Sequence, residues 1–263
     1  MASNKLCGKP TVEGGACRNP AGSCTANHPN WTAAAKAAGP PLTPSAGANP
    51  LTAPAPPLPE DPNEREDLAG DPTARPSALD ALAADPDLVI RRSVAKNPSA
   101  PPGTLTVLAG DTDPNVRISV AQHPAAPPGV LVDLAGDTNG YVRQHVAANL
   151  NTPPDTLTAL AAAPHWPVRQ SVAGNRSATP EVLAVLAADP DLVVRRGVAE
   201  NPAAPPAALA ALADDDQPSV RCLVAANPNT PPETLVRLTA DPDHLTQLAA
   251  IGNPHTPAGT PNG

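Results

Sequence analysis

Phenylalanine is absent from the 263 residues, tyrosine occurs once and tryptophan twice. Large aromatic side chains supply much of the buried area of an ordinary single core. Their scarcity excludes that design and leaves Leu, Val and Ala to build the core, which suits thin stacked helices better than a globule. Long apolar runs are lacking too: none approaches the ~18 residues of a membrane span. The N-terminal MASNKLCGKP has no apolar stretch of the kind a secretory signal needs. The expected location is therefore the cytoplasm, with no membrane partner. Catalytic signatures are missing as well. There is no G-x-S-x-G, no phosphate-binding glycine loop, no H-E-x-x-H and no dinucleotide fingerprint. Nothing in the sequence proposes an enzyme, and the many aspartates occupy cap and turn positions.

A surplus of base is also absent. The net charge is −8. Residues 1–60 hold four bases (Lys5, Lys9, Arg18, Lys36) and two acids (Glu13, Glu60), a balance of +2, so the remainder carries −10. An acidic body argues against general nucleic-acid binding, which needs a basic footprint.

What the chain does have is proline, 39 residues of it, and self-similarity. PSALDALAADPDLVIRRSVAKNPSAP (76–101) and PEVLAVLAADPDLVVRRGVAENPAAP (180–205) share one pattern. A 26-residue unit recurs about seven times between Pro76 and Pro257. Its arginine column reads Arg91, Arg117, Arg143, Arg169, Arg195 and Arg221, then Gln247. Its leucine column reads Leu82, Leu108, Leu134, Leu160, Leu186, Leu212 and Leu238. Each unit reads as two short helices. In the fifth, Thr179 caps the first, Pro180 takes its first position, and Leu183, Leu186 and Ala187 share a face. Asp191 caps the second, in which Val194 and Val198 stand four apart beside Ala199. Asn201-Pro202 ends it, since asparagine tolerates the left-handed conformation and proline forbids continuation. About six apolar side chains, worth at most ~1.5–3 kcal/mol each, cannot order 26 residues alone. Neighbouring units must cover one another, which gives a solenoid.

The organisation expected is a small Cys/His module (1–29), a short alanine helix with a proline-rich linker (30–62), a charged half-repeat cap (63–75), the repeat array (76–257) and a tail (258–263). Nine prolines between Pro40 and Pro62 favour an extended, semi-stiff spacer.

The stretches VAENPAAPPAALAALAD (198–214) and VAANPNTPPETLVRLTAD (224–241) resemble the leucine-rich repeat variant family. The resemblance covers about residues 63–257. It implies an all-α, HEAT-like, right-handed α-solenoid of alternating α- and 3₁₀-helices, and it implies no common activity. One described member of the family carries an iron–sulfur module N-terminal to its repeats.

Cys7, Cys17, Cys24 and His28 lie within the first 28 residues. Three thiolates and an imidazole form a Cys₃His set suited to tetrahedral zinc. Gly8, Gly14, Gly15 and Gly22 supply turns, and metal binding would provide the folding energy of so polar a segment. The segment also resembles short zinc-knuckle modules of bacterial and phage proteins, with Thr11 and Gly14 in the matching order. Zinc is the expected cofactor. A 4Fe–4S cluster normally takes four cysteines, and the fourth, Cys222, lies in repeat six. The remaining alternative is free thiols without metal.

The arginine column reads as a structural ladder rather than an anion site, because an aspartate precedes the arginine in most repeats: Asp85, Asp111, Asp137, Asp189, Asp215 and Asp241. Repeats three and four depart from the pattern at Gly140, Tyr141, His145, Leu150, Ala163, His165, Trp166 and Arg176. Tyr141 and Trp166 are the only aromatics of the array, so this centre is the expected contact surface for a protein partner, set against drift within the array. Cys222 sits in a variable column and reads as a free surface thiol. His123 replaces the recurrent asparagine as a turn residue. Function is expected to be that of a scaffold, with two rivals: an iron–sulfur redox or sensor protein, and a nucleic-acid adaptor acting through the basic N-terminal module.

Overall fold

A computed structural model describes residues 57–258. Cys7, Cys17, Cys24 and His28, the alanine helix and most of the proline linker lie outside them. By its internal contacts the chain divides into residues 1–54 and 55–263, and every described residue belongs to the second unit.

Among the described residues there are fifteen α-helices and no strand. The first helices of the repeats are α2 (Pro76–Leu82), α4 (Pro102–Ala109), α6 (Pro128–Ala135), α8 (Pro154–Leu160), α10 (Pro180–Leu186), α12 (Pro206–Leu212) and α14 (Pro232–Leu238). The second helices are α3 (Leu88–Lys96), α5 (Pro114–Gln122), α7 (Gly140–Ala148), α9 (Trp166–Gly174), α11 (Leu192–Glu200), α13 (Pro218–Ala226) and α15 (His244–Gly252). A further second helix, α1 (Pro62–Gly70), precedes them.

Local sequence explains these boundaries. Every first helix opens on proline, which has no N–H to leave unsatisfied at that position. Thr179 caps α10 by accepting from the Val182 N–H at 3.4 Å. Second helices open on an acidic or amide cap: Asp87 accepts from the Val89 N–H at 2.8 Å and Asp191 from Val193 at 2.9 Å. His165 and Gln217 take the cap position of α9 and α13 without a side-chain bond. The alternation of α- and 3₁₀-helices is not reproduced. Both helices of each repeat are α-helical, and three-residue bonds occur at the ends of both, as in Asp85 N–H to Leu82 O at 3.1 Å and Asn97 N–H to Val94 O at 3.0 Å. Seven or eight residues suffice for one α-helical turn to bring two leucines onto the core face.

That core is a repeating column. First helices bury leucine pairs such as Leu79 with Leu82 and Leu183 with Leu186. Second helices bury a branched residue, a valine four on and an alanine after it: Ile90, Val94 and Ala95, then Val116, Val120 and Ala121. Each second helix packs closely on the second helix of the next repeat, and first helices approach one another less closely. The small alanines permit this approach, and no repeat has a core of its own.

The asparagines ending the second helices do not adopt the left-handed conformation. Asn97, Asn149, Asn175, Asn201, Asn227 and Asn253 are extended, with φ between −67° and −77° and ψ between 121° and 130°. The proline that follows Asn97, Asn201, Asn227 and Asn253 excludes the helical region there. Each side chain instead clamps the preceding repeat. Asn201 Nδ2 donates to Ala173 O at 2.7 Å and to Asn175 O at 3.0 Å, while its Oδ1 accepts from Ala203 N–H at 2.8 Å. His123 serves the same column. It is buried, its Nε2 donates to Asn97 O at 2.9 Å, and its Nδ1 accepts from Ala125 N–H at 3.0 Å.

Candidate functional site

The arginine column is a ladder that binds each repeat to the next. The carboxylate comes from the following repeat, twenty residues on, and not from the aspartate that precedes each arginine. Arg65, Arg91, Arg117, Arg169, Arg195 and Arg221 pair through Nε with Asp85, Asp111, Asp137, Asp189, Asp215 and Asp241 at 2.6–2.7 Å. The preceding aspartate contributes its main chain: Arg91 Nη1 donates to Asp85 O at 2.8 Å. Arg65 extends the column into α1, a member that the sequence column starting at Arg91 omitted. These carboxylates are nearly buried, 3–7% exposed, and the arginines 12–18%. The same aspartates accept the backbone N–H two residues on, as Asp189 does from Asp191 at 2.9 Å. Burial pulls Asp111, Asp137, Asp189 and Asp215 upward. The arginine fork and that backbone N–H outweigh it and hold all four below the usual carboxylate value.

The ladder has one gap between arginine-bearing repeats, at repeats three and four. Ala163 stands where the carboxylate of Arg143 would be, and Arg143 has no acidic partner among the described residues. Its Nη1 still donates to Asp137 O and, at 3.2 Å, to Thr138 O. At the end of the array Gln247 replaces arginine and donates to Asp241 O at 2.7 Å.

The residues singled out at the centre lie in the same two repeats as this gap. Tyr141, the second residue of α7, is 68% exposed, and Trp166, the first of α9, is 42% exposed. His165 is exposed at the cap of α9 and Leu150 is exposed after α7. His145 is half-buried against Gln122, and burial pushes it below the usual histidine value, so it adds no charge near pH 7. The unpaired state of Arg143 was not read from the sequence. The signal was available, because Ala163 is the single non-aspartate at that position from Asp85 to Asp241.

Cys222 is half-buried rather than freely exposed. Burial, then Asp243 and Asp241, raise its thiol, so it is a weak nucleophile. A shallow groove of about 400 Å³ between α10 and α12 is lined by alanines with Leu212, Asp214 and Asp215 and gathers no hydrogen-bond donor side chain. Among the described residues, no three or more His, Cys, Asp or Glu side chains are grouped to hold a metal ion. No described helix is long and apolar enough to cross a membrane.

Two successive repeats, residues 192–217 and 218–243, match the leucine-rich repeat variant family. Among solved structures, the chain is similar to a leucine-rich repeat variant described as having a novel repetitive structural motif. Sequence identity is 29%, the match covers 72% of this chain and 82% of that one, and the TM-score is 0.52. It is also similar to computationally designed armadillo repeat proteins for modular peptide recognition, at 14% identity, 72% and 90% coverage and a TM-score of 0.27. No curated protein matches the sequence. The first of these structures agrees with the helical repeat architecture described above.

Proposed function

We propose that the chain is a non-enzymatic scaffold that binds another protein through the surface of repeats three and four. The observation that carries this reading is the coincidence of two departures. The exposed Tyr141 and Trp166, the only aromatics of the array, flank the one place where Ala163 interrupts the arginine ladder. Aromatics and arginine dominate the energetic centres of protein interfaces. A rigid stack of repeats presents them without the ordering cost that a flexible surface meets on binding. In the same reading, Cys7, Cys17, Cys24 and His28 hold zinc in a tethered module that adds a second contact and raises the effective concentration of the first. The compartment that fits these thiols is the cytoplasm.

The test is affinity capture with the full chain and with a Tyr141→Ala/Trp166→Ala variant of matching circular dichroism and melting temperature. The reading expects a polypeptide retained by the first and lost from the second, and equal retention would overturn it. Elemental analysis expects one zinc per chain. Iron with sulfide would replace the zinc module by the redox or sensor alternative.

A further inference from the structure

We infer that the junction between α8 and α9 is a receptor for one acidic side chain, Asp or Glu, of a bound polypeptide. Its donors are the Arg143 guanidinium and the His165 backbone N–H. This deepens the scaffold reading and rests on it for the identity of the ligand as a protein.

The junctions on either side show how the seat is built. In one, Arg117 Nε donates to Asp137 Oδ2 at 2.6 Å and Nη2 to Oδ1 at 3.0 Å, while Oδ1 also accepts from Asn139 N–H at 2.7 Å. In the other, Arg169 makes the same pair of bonds to Asp189 at 2.7 and 3.0 Å, and Asp189 accepts from Asp191 N–H at 2.9 Å. Three donors thus converge on one carboxylate. At the α8–α9 junction the donors persist and the acceptor is gone. Arg143 Nη1 keeps its two main-chain bonds, which hold the guanidinium in the register of its neighbours. Its Nε and Nη2, and the His165 N–H, donate to nothing among the described residues. Ala163 offers only a methyl group at that place.

A planar guanidinium fork held in position selects a carboxylate that can accept two parallel bonds. Charge points the same way. At the other junctions from Asp85 to Asp243 at least one acid occupies the position of Ala163 or of His165, as Asp215 does beside Gln217. Here neither does, so Arg143 lacks the paired carboxylate of its neighbours and feels only Asp137, which is already bonded to Arg117, at longer range. An acidic side chain entering from a partner would meet the same three donors that Asp137 and Asp189 meet. Trp166, three residues from Ala163, offers an apolar surface for the residues beside it.

The experiment follows the Arg143 Nε–Hε and His165 N–H signals of the ¹⁵N-labelled full chain by nuclear magnetic resonance. The probes are the blocked peptide acetyl-Ala-Glu-Leu-amide, its Gln counterpart and inorganic phosphate, at constant ionic strength. The expected result is a saturable shift of both signals with the Glu peptide and none with the Gln peptide. In Ala163→Asp, where the seat is filled from within, and in Arg143→Gln, binding should weaken by at least about tenfold. Circular dichroism confirms that both variants are folded. No response to the Glu peptide, an equal response to the Gln peptide, or a response to phosphate alone would overturn the inference. If the seat fails while capture still depends on Tyr141 and Trp166, the scaffold reading stands without it. If the shift is seen while capture ignores those aromatics, the scaffold reading falls and the seat remains.

Discussion

Arg117 and Asp137, in successive repeats and twenty residues apart, hold each other through two parallel bonds of 2.6 and 3.0 Å. The Arg117 Nη1 meanwhile ties to Asp111 O at 2.8 Å, so one guanidinium fixes its own turn and the next repeat together. Removing one partner of such a shielded pair leaves the other charge uncompensated. Asp137→Ala also frees the Asn139 N–H. We expect it to cost about 2–3 kcal/mol in chemical denaturation. Asp133→Ala, at an exposed site on α6, should cost within about 0.5 kcal/mol. Equal effects would remove the ladder from the account.

Acid should act on the same pairs. At Asp111, Asp137, Asp189 and Asp215 burial opposes ionisation, and the arginine forks and backbone donors overcome it. At Asp241 the Arg221 bond is the largest influence and lowers it outright. A carboxylate whose folded value lies below its unfolded value, near ~3.9, contributes fully above that value. Its contribution drains away as pH falls through the lower folded value. The denaturation midpoint should therefore hold steady from about pH 7 to 5 and drop steeply below about 4. A midpoint unchanged down to about pH 2 would contradict this.

The asparagine column makes a paired prediction. Asn201→Ala leaves Ala173 O and Asn175 O without their donor in a buried junction, at a cost of about 2–3 kcal/mol. His123→Asn restores the residue used in the other repeats and adds a second amide donor, so it should leave stability unchanged or raise it by about 1 kcal/mol. A loss of stability in His123→Asn, measured by thermal melting, would show that the imidazole does something the amide cannot.

The sequence disclosed what is local. Proline at the head of each first helix, Asp191 at the cap of its helix, the Leu183–Leu186 spacing and the Val194–Val198 spacing all act within one turn of helix, and each lies where the periodicity puts it. What crosses a junction was harder to read. The aspartate beside each arginine in sequence is not its ionic partner, because stacking brings the carboxylate of the next repeat, twenty residues on, to the guanidinium. Asn201 suggested a left-handed helix end, but it is extended, as Asn149 and Asn175 are without a following proline, and its amide is spent on the neighbouring repeat. The gap at Ala163 was visible as an odd residue. Its consequence for Arg143 depends on a contact that only the stacked repeats define.

Ala163→Asp tests the account most directly. The substitution supplies Arg143 and the His165 N–H with the acceptor that Arg117 and Arg169 already have. Thermal unfolding followed by circular dichroism should show a rise of roughly 2–6 °C, corresponding to about 1–2 kcal/mol from charge-assisted bonds. A melting temperature equal to or below that of the unaltered protein would mean that the Arg143 fork is not waiting for a carboxylate.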